Sequence, residues 1–143
     1  RGISKETIQE LGLRTNRRPD IFLFPSESKC ILVELKAPDE DLSDHLQQMT
    51  RYCNLIANFS SVPATRFYCY LIGENIKPVD LPAAYEPTVN DGWVHPEQPI
   101  KTPDAERQTI GHIHSEIILL SSIAIRAERR NRSFAERLGI LID

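Results

Sequence analysis

The chain has 143 residues, the usual size of one domain. Apolar residues make up 41% and charged residues 26%, the balance of globular material rather than of a disordered or fibrous chain. No apolar run is long enough to span a bilayer, and a net charge of −3 leaves no global basic field, so phosphate binding would rest on local patches. A chain that opens on Arg1 is read as a piece of a longer protein. It is expected to form a single domain over 1–143, with a core at about 4–73 and an elaboration over 74–143.

Residues 4–11 read as a short helix capped by Ser4 and stopped at Gly12. Residues 21–24 (IFLF) and 30–36 (CILVELK) read as two strands. The Pro/Ser-rich turn between them makes a β-hairpin. Over 41–58 the pattern becomes helical. Leu42, Leu46, Met49, Cys53 and Ile56 follow steps of three and four, with Asp39, Asp41 and Ser43 as capping oxygens. Residues 67–72 (FYCYLI) form the next strand, and strand–helix–strand predicts a parallel pairing. The Pro-rich stretch 75–103 reads as loops with one short strand at 92–95. Residues 110–120 fit a strand or the start of a helix. A last helix begins at Ser121 or Ser122, carries Ile123, Ala127, Phe134 and Leu138 on one side, and ends at Gly139. The result is an α/β layer on a mixed sheet.

Cys30, Cys53 and Cys69 are odd in number and lack zinc spacing. They read as small buried hydrophobes of a reducing, cytoplasmic compartment.

The residues that point to chemistry are Asp20, Glu34 and Lys36. If Phe24 faces Cys30 across a five-residue loop, Asp20 lies directly opposite Glu34, with Cβ atoms about 4.5–5.5 Å apart. Glu34 and Lys36, two apart, share a side of their strand. Two facing carboxylates repel when empty and suit a hard divalent cation. Lys36 beside them could orient water or stabilise an oxyanion on phosphorus. The expected chemistry is metal-assisted hydrolysis of a phosphodiester. The plainer account makes Asp20 a turn acid and Glu34 with Lys36 a solvent-facing ion pair. Against it, Glu34 interrupts an apolar run, where an acid needs a partner.

Arg18-Pro19-Asp20, a gap of thirteen residues and Glu34-Leu35-Lys36 together resemble the signature of the PD-(D/E)xK nucleases. Gln48 to Tyr52 resembles the QxxxY motif of that superfamily's RecB-like branch, and the region 126–131 (RAERRN) is loosely similar to Shedu-type defence nucleases. The resemblance runs over about 6–73. It implies a restriction-endonuclease-like core (αβββαβ) and a Mg²⁺- or Mn²⁺-dependent nuclease acting on DNA in preference to RNA, in anti-phage defence or DNA processing. It allows a homo-oligomer. It implies Asp20, Glu34 and the carbonyl of Leu35 as metal ligands and Lys36 as the catalytic amine. Gln48 and Tyr52 would lie beside the site, and an extra acid would come from Glu10 or Glu6 on the first helix. Arg14, Arg17 and Arg18 are candidate phosphate contacts, as are Arg126, Arg129, Arg130, Arg132 and Arg137, for which a solvated helix face is the plainer account. His45 reads as a polar surface residue. The alternative function is a catalytically inactive nucleic-acid-binding or oligomerisation module of the same fold.

Overall fold

The computed structural model describes residues 19–61, 63–137 and 139. The helix expected over 4–11, with Glu6 and Glu10, and the basic residues Arg14, Arg17 and Arg18 that follow it lie outside the described residues. The fold is α/β. A six-stranded mixed sheet of β1 (Asp20–Phe24), β2 (Lys29–Leu35), β3 (Arg66–Gly73), β4 (Glu86–Pro87), β5 (Trp93–Lys101) and β6 (Thr109–Leu119) runs in the order β1-β2-β3-β6-β5-β4. Helix α1 (Ser43–Phe59) connects β2 to β3, and α2 (Leu120–Arg137) follows β6. Two strands precede α1 among the described residues, where the restriction-endonuclease-like core expects three.

The hairpin β1–β2 is antiparallel, while β2, β3 and β6 are mutually parallel. The parallel pairing of β2 with β3 is the one expected for a strand–helix–strand unit. The apolar stripe of α1 (Met49, Tyr52, Cys53 and Ile56) is buried against alternate residues of the sheet, among them Ile21, Leu32, Phe67, Leu71, Ile113 and Ile117. Cys30, Cys53 and Cys69, scattered in sequence, are all buried, and the Cys53 and Cys69 Sγ atoms lie 3.2 Å apart.

The Pro-rich region departs from the loop expectation. Trp93 to Lys101 is a nine-residue strand despite Pro96 and Pro99. Its other neighbour, β4, reaches only Trp93 and Val94, so most of β5 is an edge, where a missing N–H costs little. The pairing with β6 slips between His95 and Gln98, which accommodates Pro96. The ambiguous stretch 110–120 resolves as β6, whose long run of alternating buried residues decides for strand.

Candidate functional site

Because β2, β3 and β6 run the same way, their C-terminal ends share one edge of the sheet. In open α/β sheets this is the edge where ligands bind. The segment after β2 is stitched to the segment after β3. Lys36 N–H donates to Ile72 O at 2.8 Å, Leu42 N–H to Asn75 O at 2.9 Å, and the Asn75 amide to Asp39 O at 3.1 Å. A turn closed by Glu40 N–H to Ala37 O brings Glu40 back toward Lys36. Asp41 Oδ1 accepts from both the N–H and the hydroxyl of Ser43 at the start of α1. These two bonds hold its carboxyl below the usual carboxylate range.

Within this frame lies a polar cluster. Glu34 is only 7% exposed, on the core side of β2 with Cys30 and Leu32. Its Oε1 is 3.0 Å from the Lys36 ammonium, and its Oε2 is buried with no hydrogen-bond partner. Lys36 also sits 3.8 Å from Glu40 Oε2, which in turn lies 3.6 Å from His45 Nε2. His45 Nδ1 is likewise buried without a partner. Its side chain is 20% exposed, so the imidazole lies partly buried at the rim of the cluster, where a polar surface residue was expected. On α1, His45, Gln48 and Tyr52 share one side, and Gln48 Nε2 donates to Tyr52 Oη at 3.0 Å. Leu35 closes β2 with its side chain exposed on the other face.

Asp20 does not join this cluster. The hairpin pairs Phe24 with Lys29, not with Cys30, so Asp20 faces Val33. Directly paired residues share a face and neighbours alternate. Asp20 therefore stands on the side away from buried Ile21, and Glu34 stands on the core side. The expected pairing of Asp20 with Glu34 is corrected by one residue, and that residue puts the two acids on opposite faces. The cation that the resemblance implies does not fit between them as the strands stand. Among the described residues no group of three or more His, Cys, Asp and Glu side chains is arranged to hold a metal ion.

Comparison with known proteins adds no relative. No family model, curated protein or solved structure matches the chain.

One further feature belongs to the same region. Glu74, just past β3, accepts from the backbone N–H of Ser121 at 3.0 Å, and this bond holds its carboxyl below the usual range. It anchors the first turn of α2 to the edge that carries Glu34. Sequence reading sought that anchor in Ser121 or Ser122, because a cap contributed from 47 residues away leaves no local signal. A concavity of about 470 Å³ lies elsewhere. It is lined on α1 by Ser43, Leu46, Gln47 and Thr50, on the flank opposite His45, Gln48 and Tyr52. None of the sequence-predicted site residues among the described residues borders it, and the buried, incompletely partnered charge at Glu34 is the stronger pointer to chemistry.

Proposed function

We propose that the chain is a nuclease domain that hydrolyses phosphodiester bonds, DNA in preference to RNA, at a site centred on Lys36 and Glu34. The observation that carries this reading is a carboxylate 7% exposed at the C-terminal end of a parallel strand, with one oxygen on an ammonium and the other without a partner. Such a group is costly to bury and is retained where chemistry uses it. Lys36, the more exposed of the pair, meets the phosphate and donates to a non-bridging oxygen as negative charge develops there. Glu34 and Glu40 fix the ammonium from two sides. Water attacks phosphorus, its proton passes inward to a carboxylate, and the leaving oxygen is protonated from solvent. The resemblance of Glu34-Leu35-Lys36 and of Gln48 and Tyr52 to a nuclease signature supports the same reading, as does the placement of Gln48 and Tyr52 on the His45 side of α1. By that resemblance the enzyme works in anti-phage defence or DNA processing.

A second reading is favoured by the register of β1. With Asp20 on the far face, the two-acid clamp is unassembled, as in a module that keeps the fold and binds nucleic acid without cutting it. One experiment separates them. Plasmid and single-stranded DNA are incubated with the protein in Mg²⁺ or Mn²⁺, alongside Lys36→Ala, Glu34→Gln and Asp20→Ala. Cleavage lost in the first two variants and kept in Asp20→Ala supports the site described. Wild-type protein that binds both substrates and cuts neither leaves the second reading.

A further inference from the structure

Helix α2 does not pack back onto the domain. From Ile123 to Ser133 every residue is exposed, including Ile123 at 40% and Ile125 at 46%. A helix that crossed the sheet would bury an apolar stripe. This one carries five arginines, two glutamates and no lysine in 18 residues. Arg126, Arg130 and Arg137 stand at i, i+4 and i+11, within about 40° of one another around the axis at 100° per residue. They form a stripe about 16 Å long at 1.5 Å per residue. None of the three has a salt-bridge partner among the described residues, whereas Arg132, on another side, is paired with Glu128 at 3.1 Å. The position of the helix matters as much as its charge. It leaves the sheet at the end of β6, the edge that also carries Glu34. Leu71 aligns with Glu34 on one side and with Ile117 on the other, so β6 is two strand spacings away, about 9–10 Å.

We infer that the Arg126–Arg130–Arg137 stripe is a docking surface for the phosphate backbone of nucleic acid, holding the strand beside the Lys36 site. The choice of partner rests on the nuclease reading above and on the chemistry of the stripe. Guanidinium groups match phosphate oxygens bidentately, and a row of unpaired guanidiniums along about 16 Å of one helix face complements the regular array of negative charge on a nucleic-acid backbone. An acidic protein partner would offer carboxylates in place of phosphates, and the comparison with polyglutamate below distinguishes the two.

The test is fluorescence anisotropy of the full chain with a labelled 20-base-pair duplex, in EDTA so that no cutting intervenes, across a salt series. The triple variant Arg126→Gln/Arg130→Gln/Arg137→Gln keeps good helix formers, and circular dichroism confirms its helix. It is expected to bind on the order of 100-fold more weakly at about 0.1 M salt, with the slope of log affinity against log salt reduced by about 2 to 3. Arg132→Gln is expected to bind within about twofold of wild type, which separates the stripe from helix charge in general. An unchanged affinity in the triple variant overturns the proposal. So does an equal loss in Arg132→Gln, or polyglutamate of matched charge binding as tightly as the duplex. So does a triple variant that changes only the sedimentation of the protein. The two proposals fail separately. Duplex held by the stripe but never cut in Mg²⁺ or Mn²⁺ removes the nuclease reading alone. Cutting that persists with binding unaffected in the triple variant removes the stripe alone.

Discussion

Replacing Lys36 by Met removes the ammonium while keeping most of the apolar stem. The Lys36 head is then gone from Glu34 Oε1, where it lay at 3.0 Å, and Glu34 Oε2 already has no partner. A carboxylate 7% exposed is left with no neutralising group. Breaking a buried pair in this way costs about 3–5 kcal/mol. Here the lower end applies, about 3 kcal/mol, because the Lys36 side chain is 19% exposed and water can partly replace it. Glu34→Gln should cost less, about 1 kcal/mol, since Lys36 keeps Glu40 at 3.8 Å and some solvent. The double variant should cost about 2–2.5 kcal/mol, below the sum of about 4 for the single variants, a coupling of about 1.5–2 kcal/mol. Urea unfolding of the four proteins measures all three quantities. A deficit below about 0.5 kcal/mol, or strictly additive single variants, would refute the claim that this is a buried, coupled pair. The result also governs any cleavage assay, which must be run where Lys36→Met is shown to be folded.

Gly111 lies against the backbone of Thr65, and a Cβ there would stand 2.6 Å from Thr65 O; Gly111→Ala is expected to cost about 1–3 kcal/mol in urea unfolding, and a neutral effect would contradict the close approach of β6. Glu74→Ala removes the acceptor of Ser121 N–H and should lower helix content by far-UV circular dichroism and stability by about 0.5–1 kcal/mol. The same bond holds the Glu74 carboxyl below its usual range, so its contribution is present above the ordinary value near 4.5 and lost as pH falls; Glu74→Gln should flatten that part of the acid profile. Burial, and secondarily Cys69, pushes the Cys30 thiol from 9.0 up to about 12, so the native state holds a proton that the unfolded state releases. Stability should therefore fall as pH rises from about 9 toward 12, with a slope approaching about 1.4 kcal/mol per pH unit from this thiol, and a urea midpoint flat across that range would show that Cys30 is not buried.

Much of the layout was legible because periodicity and burial agree. The stripe Leu42, Met49, Cys53 and Ile56 is buried in the structure, with Leu46 partly so. The strand-helix-strand order gave the parallel pair, and Gly139 is left-handed, with φ of 74°, just past α2. Glu34 within CILVEL was legible too, since an acid in a run that must be buried announces a partner, and Lys36 is that partner. What sequence could not supply depends on distant chain or on edges. The prolines of β5 argue for loop until it is known that little pairs with its outer side. His45 lies in a polar stretch, and its neighbour Glu40 reaches it only because a turn folds that acid back, which leaves no local signal. The hydroxyl-rich start of α2 pointed to a local cap, while the acceptor actually used sits at the end of another strand.

The register of the hairpin is the most consequential of these differences, and its cause is local. A five-residue connection would set Asp20 against Glu34. The chain instead makes a single turn over Pro25–Glu27, closes it with Ser28 N–H to Pro25 O at 3.1 Å, and resumes pairing at Lys29. This shorter turn requires Ser28 in the left-handed region, with φ of 52°. That conformation costs a non-glycine residue about 1–2 kcal/mol, and the same Ser28 carbonyl repays part of it by accepting from Thr65 and Arg66 N–H. Ser28→Gly should therefore stabilise the protein by about 0.5–1 kcal/mol after the greater backbone entropy of glycine in the unfolded chain is subtracted. It should leave the cross-strand nuclear Overhauser contacts between Asp20 and Val33 in place. Contacts from Asp20 to Glu34 instead, with Ser28→Gly destabilising, would mean that the longer loop is the true one. The two acids would then face each other, and the cation that fits between them would return to the mechanism.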